Sequence, residues 1–234
     1  MNRSQSNPAL KFTIPQEGLK LLACITMLID HLGAVFFPDA QILRIIGRLS
    51  YPLYAFLLAE GIHYTRSPLK YGLRLLLVAI VTEYPYDLLF RGEFTWTKNS
   101  VMITLLLGYF AGIVMKRCPG WFKLIAGLPF ILAGRYANGT YGMYGVVMIL
   151  MFLVTREMPY RLAVQTALMI LLSLRMAGFP SRLSTQIFAL AAMVPIYLYS
   201  GKKRSRNPVL QWGFTLFYPL HIVILLLIRL LCFK

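Results

Sequence analysis

The sequence predicts an all-α protein, a polytopic transmembrane helix bundle of about nine spans (eight to ten) with a cytoplasmic N-terminus. Of its 234 residues, 58% are hydrophobic and only 14% are charged, which is far from the composition of an ordinary soluble domain. The net charge of +16 could indicate a nucleic-acid-binding protein. However, the 24 Lys and Arg residues are scattered between apolar runs and form no basic domain. We therefore expect the lipid bilayer, and no nucleic acid, as a partner.

Each apolar run is long enough, or nearly so, to form one membrane-spanning helix. In chain order, we expect these helices at 19–37, 41–62, 69–90, 100–116, 120–134, 141–155, 159–175, 182–200 and 210–231. Short links separate them, marked by Pro38, Pro68, Pro119, Pro159, Pro180 and Pro208. Residues 1–18 are polar and are expected to form an N-terminal segment. Because the links between the apolar runs are short, residues 19–231 are expected to form a single transmembrane domain. The first run is longer than the apolar region of a cleaved signal peptide, so we expect it to be retained.

Several helices carry features of their own. Pro52 removes a backbone hydrogen bond inside the second helix and should kink it. Pro85 lies within the third helix, and Pro219 interrupts the apolar run of the ninth. The head of the sixth helix repeats glycine every three residues, at Gly139, Gly142 and Gly145, which permits close helix approach. The three cysteines are odd in number and widely spaced, so they indicate neither a disulfide framework nor a metal site.

The distribution of cations predicts the orientation in the membrane. In a nine-span arrangement, one side carries Arg3, Lys11, Arg66, Lys70, Arg74, Lys116, Arg117, Lys123, Arg156, Arg161, Lys202, Lys203, Arg204 and Arg206. The other side carries Arg91, Lys98, Arg135, Arg175, Arg182 and Lys234. Because cations concentrate in cytoplasmic links, we expect a multi-pass protein of the cytoplasmic membrane, with its N-terminus inside the cell and its C-terminus outside.

The first helix contains an acid and an imidazole where a membrane span usually has neither. Lys20 and His31 are eleven residues apart, which places them within roughly 20° of one helix face and about 16 Å apart along the axis. Asp30 points about a quarter turn away from His31, so these two cannot form a dyad on one face. In the second helix, Arg44 and Arg48 fall one turn apart at a comparable depth, and Arg48 is the natural partner for Asp30. His31 is too short to reach the headgroups, so we expect it to be functional.

Other polar residues lie in the apolar runs. Glu83 and Asp87 are one turn apart in the third helix, towards the outer face. His221 in the ninth helix is either a packing residue or a second site group. His63 lies near the cytoplasmic end of the second helix and is expected at the interface. Ions such as these can also pair across helices or reach the headgroups without having a function.

Five stretches carry a resemblance to a known family: LKLLACITMLIDHLGAVFF, LRIIGRLSYPLYAFLLAEG, SVMITLLLGYFAG, YGMYGVVMILMF and FYPLH. They resemble the TraX family, which is named after the acetylase of the amino terminus of F-type conjugative pilin. That family is in turn similar to transmembrane acyltransferases with a basic residue, ten intervening residues and a histidine in the first helix. Lys20 and His31 match this spacing. The resemblance implies acetyl-CoA or another acyl-CoA as donor and His31 at the centre of the chemistry.

Within that interpretation we expect an acyltransferase that acetylates an exported peptide or a surface glycan, without a metal. His31 would act as base, with Arg48 either stabilising the oxyanion or organising the site and Asp30 orienting Arg48. The phosphates of the donor would be held by Lys20, Arg66, Lys70 and Arg74. The acceptor would meet Glu83, Asp87, Arg135, Tyr141 and His221.

Two other classes of protein stay open at this stage. A small transporter could use the same ionisable residues and proline-broken helices along a substrate pathway. A structural membrane subunit of a secretion apparatus would leave the buried charges without a use.

Overall fold

The computed structural model describes residues 13–95, 99–137, 141–155, 157–177, 185–201 and 208–232, with the side chains of 172–177 and 208 left out. Within these ranges most of the chain is helical, and no β-strand is present. The α-helices are α1 (Gln16–Val35), α2 (Gln41–Gly47), α3 (Ser50–Tyr64), α4 (Pro68–Arg91), α5 (Val101–Arg117), α6 (Phe122–Tyr136), α7 (Gly142–Val154), α8 (Met158–Ala177), α9 (Met193–Tyr197) and α10 (Pro208–Cys232). A 3₁₀ helix, Thr185–Ala192, precedes α9.

Most of the expected helices are present, with bounds within three residues of those predicted from the sequence. Two differ: the second run forms α2 and α3, and the eighth forms the 3₁₀ helix and α9, with residues 182–184 outside the described ranges. Three segments of the described chain are long and apolar enough to cross a membrane: Gln16–Val35, Gln41–Tyr64 and Val209–Cys232. Several other apolar helices are shorter or more polar. The helical membrane fold is confirmed, whereas the number of nine spans stays a prediction.

The interruption between α2 and α3 lies where Pro52 predicts a kink. Proline has no N–H to offer the carbonyl four residues earlier, which is that of Arg48, and its ring clashes with that carbonyl. The helix accordingly stops at Gly47 and restarts at Ser50, so that Pro52 falls in the first turn of α3, where its missing N–H costs little. The buried Ser50 hydroxyl donates to the Gly47 carbonyl over 2.8 Å and satisfies one carbonyl at the break.

The chain divides into two compact units. Unit 1 comprises Met1–Tyr54 and Thr155–Phe217, and unit 2 comprises Ala55–Val154 and Tyr218–Lys234. The division passes through α3 and α10. The single transmembrane domain expected for residues 19–231 stays a prediction.

In unit 1, α1 packs against α2, and α8 and α9 pack against the 3₁₀ helix. The Ile14 N–H donates to the Leu198 carbonyl over 2.8 Å, and the Ser200 N–H donates to the Ile14 carbonyl over 2.9 Å. The start of α1 therefore lies beside the end of α9. The predicted nine-span arrangement expects these two points on the same side of the membrane, because eight predicted crossings separate them.

In unit 2, α5 is central and contacts α4, α6 and α7. Its buried Ala111 and Met115 pack with Val146 and Leu150 of α7. Helices α6 and α7 approach closely where Gly134 lies against Gly142, whose φ of +47° suits glycine. The predicted role for Gly142 in close packing is confirmed, while Gly139 lies outside the described ranges.

Candidate functional site

The buried face of α1 carries His31. Leu19, Ala23, Met27 and His31 recur every four residues and are all buried, so they form one stripe that faces the protein. His31 is only 9% exposed. The imidazole ring of His31 therefore packs inside the protein and does not face lipid, as its expected role as a base requires.

At the other end of α1, Lys20 is half-buried, and its Nζ lies 5.3 Å from the centre of the Phe214 ring. A cation at this distance above an aromatic face is attracted to it. One turn further along α1, the Cys24 Sγ lies 3.3 Å from the Tyr54 hydroxyl. No functional role was predicted for Tyr54 or Cys24 from the sequence. The four-residue spacing between Lys20 and Cys24 places them on one helix face, but nothing in the sequence indicated that Tyr54 would meet them.

Asp30 forms ion pairs with two arginines. Its Oδ1 lies 2.9 Å from Nη1 of Arg44 and 3.1 Å from Nη2 of Arg48. Arg44 also donates to the backbone carbonyl of Asp30 over 2.8 Å. The predicted pair between Asp30 and Arg48 is therefore present, and Arg44 belongs to the same cluster. Arg44 and Arg48 are four residues apart, about one helical turn, and this spacing was the signal for Arg44 in the sequence.

This cluster has a net positive charge in a poorly hydrated place. Side-chain exposure is 16% for both Asp30 and Arg48 and 33% for Arg44. These three side chains, one carboxylate and two guanidinium groups, together carry a formal net charge of +1. Because ionic interactions strengthen as water is excluded, such a site favours an additional negative charge.

Gly47 sets the distance between the helices at this cluster. A Cβ atom on Gly47 would overlap the Asp30 side chain, and one on Gly33 would crowd Leu43. The two glycines let α1 and α2 approach closely enough for Asp30 to reach both arginines.

In unit 2, the predicted acceptor residue Asp87 anchors the link after α4. It is fully buried, its Oδ1 lies 2.9 Å from Nη1 of Arg91, and its Oδ2 accepts the Thr95 N–H over 2.9 Å. The same Arg91 nitrogen also donates to the Thr95 carbonyl and hydroxyl. These contacts support a structural role, and a role of Asp87 in acceptor binding stays a prediction.

Glu83 caps the next helix. Its Oε1 accepts the buried Ser100 N–H over 2.8 Å, at the start of α5. A carboxylate at this position satisfies a backbone donor that the helix itself cannot, and it interacts favourably with the helix dipole. This too is a structural contact, and acceptor binding by Glu83 stays a prediction.

The other predicted residues of unit 2 are spread along its helices. His221 is buried with its ring edge-on to Tyr218, at 5.4 Å between centroids. Arg135 is exposed and Tyr141 is half-buried. Of the residues predicted to bind donor phosphates, Arg66 and Lys70 are exposed, and Arg74 lies 5.2 Å from the Tyr71 ring centre. No contact among the described residues tests the binding roles of these side chains.

His63 has a contact that explains its position. Its Nε2 lies 3.2 Å from the Leu153 carbonyl, and Lys116 donates to the carbonyls of both Ile62 and His63. A cation that donates to the last carbonyls of a helix stabilises its C-terminus. His63 is therefore part of the junction between α3, α5 and α7.

Comparison with known proteins places these observations in a family. The model of the family described as TraX protein matches residues 15–229. A protein of Dichelobacter nodosus named probable fimbrial assembly protein FimC, serogroup H1, is 29% identical over 236 residues, which is 88% of this chain and 92% of that protein. An uncharacterised protein of Rickettsia prowazekii, RP591, is 31% identical over 93 residues, which is 40% of this chain and 34% of that protein. No solved structure matches the chain significantly. Since the family model matches nearly the whole chain, this membrane protein belongs to the TraX family.

Proposed function

We propose that this protein is an integral membrane acyltransferase that transfers an acetyl group from acetyl-CoA to an exported peptide. The observation that carries the proposal is the arrangement on α1. His31 is buried, Lys20 lies on nearly the same helix face, and a cluster of net positive charge surrounds the neighbouring Asp30. Membership of the TraX family and the fimbrial name of the D. nodosus relative support a pilus subunit as the acceptor.

The chemistry follows from what acyl transfer requires. A neutral His31 takes the proton from the attacking amine or hydroxyl while the nucleophile bonds to the thioester carbonyl carbon. The carbonyl oxygen gains negative charge, which Arg48 stabilises because its guanidinium is held beside the site by Asp30. The C–S bond then breaks, the oxyanion returns to a carbonyl, and the thiolate takes the proton back from His31 and leaves as CoA, so that His31 is neutral again.

Lys20 supplies the other end of the donor site. About 16 Å separates it from His31 along α1, which is comparable with the reach of an extended pantetheine arm. An ammonium group at this distance binds the donor's phosphates while the thioester lies near the imidazole.

The direct test is transfer of radiolabelled acetyl from acetyl-CoA to a pilin-derived peptide by the purified protein in proteoliposomes. We expect His31→Ala to lower kcat by roughly 10²- to 10⁴-fold, since a positioned acid or base contributes about that much. His63→Gln is the matched control, because His63 contacts the Leu153 carbonyl and a glutamine can keep that bond. Full activity of the His31 variant would exclude this mechanism.

A transporter is the second candidate, favoured by the interruption between α2 and α3 beside the ion cluster. Broken helices with ionisable residues are typical of substrate sites in secondary transporters. Uptake of a solute into proteoliposomes in the absence of any acyl-CoA would favour this candidate. Acetyl transfer that depends on His31 would favour the acyltransferase.

A further inference from the structure

We propose that Arg44 binds the phosphate group of a membrane phospholipid through one edge of its guanidinium group. The inference goes beyond the proposed function, because it concerns a lipid site and holds whether or not the protein transfers acetyl groups. It starts from the cluster of Asp30, Arg44 and Arg48, whose contacts engage only part of Arg44.

The hydrogen-bond donors of Arg44 are the first argument. Its Nη1 lies 2.8 Å from the Asp30 carbonyl oxygen and 2.9 Å from the Asp30 Oδ1. The other edge of the planar group carries three more N–H donors, on Nε and Nη2. Among the described residues, no acceptor forms a hydrogen bond with either of these two nitrogens. Two parallel N–H donors on one edge match two oxygens of a phosphate group.

Asp30 fixes the orientation of this edge. An arginine without a partner would extend its side chain towards the headgroups in many conformations. Arg44 instead has its Nη1 bound to two atoms of Asp30, and its Cδ lies 3.5 Å from the position that a Cβ atom on Gly33 would occupy. A side chain already held in one conformation loses less entropy when it binds a ligand.

Charge and exposure also favour an anion at Arg44. The cluster carries a formal net charge of +1, so one phosphate group with a single negative charge brings it to zero. The Arg44 side chain is 33% exposed, which leaves room for a ligand, whereas Arg48 is 16% exposed and uses its Nε to donate to the Arg44 carbonyl. Arg44 is therefore the more accessible of the two arginines.

The depth of Arg44 points to a phospholipid as the source of the anion. Arg44 lies three residues after the start of the candidate span Gln41–Tyr64, which is about 4.5 Å along the helix. Side chains of a helix lean towards its N-terminus, which for this span is the end at the membrane surface. Phe37 and Ile42, at the same end, are 55% and 61% exposed, as apolar residues in contact with lipid are. A lipid reaches an exposed group at this depth directly from the bilayer.

The test is a titration of dioleoyl phosphatidylglycerol into delipidated protein in a neutral detergent, with bound lipid counted by native mass spectrometry. Monoglucosyl dioleoylglycerol has the same acyl chains but no phosphate, and it is the reference lipid. We expect the wild type to bind phosphatidylglycerol roughly 10- to 100-fold more tightly than the glycolipid, the effect of hydrogen bonds to a charged group. Arg44→Gln should remove this preference.

Arg44→Lys separates lipid binding from folding. Lysine keeps the positive charge and can keep the ion pair with Asp30, but it lacks the edge with two parallel donors. We expect a Tm in detergent close to that of the wild type and an affinity for phosphatidylglycerol lowered nearly as far as by glutamine. Arg135→Gln is the matched control: it removes an exposed arginine predicted on the same side of the membrane and should leave the affinity unchanged.

Three results would overturn the proposal. The first is equal affinity of the wild type for the two lipids, or of the wild type and Arg44→Lys for phosphatidylglycerol. The second is displacement of the lipid by inorganic phosphate, which would make the free ion the ligand. The third is displacement by an acidic pilin-derived peptide, which would make the acceptor the ligand. The His31→Ala assay tests acetyl transfer separately, so failure of one proposal leaves the other standing.

Discussion

At the scale of single residues, the most informative feature is that one oxygen of Asp30 contacts both Arg44 and Arg48. A carboxylate with two guanidinium neighbours keeps a partner when either arginine is lost, so removing one arginine leaves a balanced pair. The two arginines differ in exposure, 33% for Arg44 against 16% for Arg48. The more buried charge acts through a lower dielectric and has the larger effect on a nearby oxyanion.

This asymmetry predicts different kinetics for two similar variants. We expect Arg48→Gln to lower kcat by roughly 10²-fold, as loss of one oxyanion donor does, and Arg44→Gln to lower it less than about ten-fold. Thermal unfolding in detergent should show nearly equal Tm values, because Asp30 keeps one partner in each variant. Equal kinetic losses would contradict a direct role for Arg48.

At the scale of elements, the contact between α1 and α2 positions the cluster. Gly33 of α1 and Gly47 of α2 allow the two backbones to approach. The break between α2 and α3 ends α2 at Gly47, one residue before Arg48. The glycines and Pro52 therefore act together to place the arginines against Asp30.

Gly47→Ala tests this contact. The added methyl group overlaps the Asp30 side chain, so the helices must separate, and overpacking of this kind costs about 1–3 kcal/mol. We expect a lower Tm together with a loss of acetyl transfer. Gly213→Ala in α10 is the control: nothing lies within 4 Å of its Cβ position, so helix propensity alone should keep or raise the Tm. A Gly47 variant with wild-type stability and activity would show that α1 and α2 need not be this close.

At the scale of the whole molecule, the sequence predicts the path of the chain through the membrane. Helix α4 has 24 residues, which at 1.5 Å per residue is about 36 Å and enough to cross a hydrocarbon core. Arg66 and Glu93 lie just beyond its two ends, and both are exposed. If α4 crosses the membrane, the excess of cations predicts that Arg66 lies in the cytoplasm and Glu93 outside.

Labelling of single cysteines checks this path. In a background with Cys118→Ser and Cys232→Ser, a membrane-impermeant maleimide added to intact cells should modify Glu93→Cys but not Arg66→Cys. Arg66→Cys should react only after the membrane is permeabilised. Cys24 is buried and should stay unmodified in both. Labelling of both positions from the same side would show that α4 does not cross, and the predicted orientation would be wrong.

The sequence by itself determined the all-helical membrane fold, most helix bounds, and the residues of the first helix on which the proposal rests. It could do so because hydrophobic length and the spacing of residues along one helix are local properties of the chain. The pairing of Asp30 with Arg48 could also be predicted from the sequence, because residues at the same depth in neighbouring antiparallel helices tend to meet.

Only the tertiary structure decided which helix faces meet. It brought Tyr54 to Cys24, added Arg44 to the Asp30 cluster, and engaged Asp87 and Glu83 in contacts with the link after α4 and the start of α5. The rotation of one helix against another depends on packing between residues far apart in sequence, such as Gly47 against Asp30. The pattern of apolar residues along a single helix contains no information about that contact.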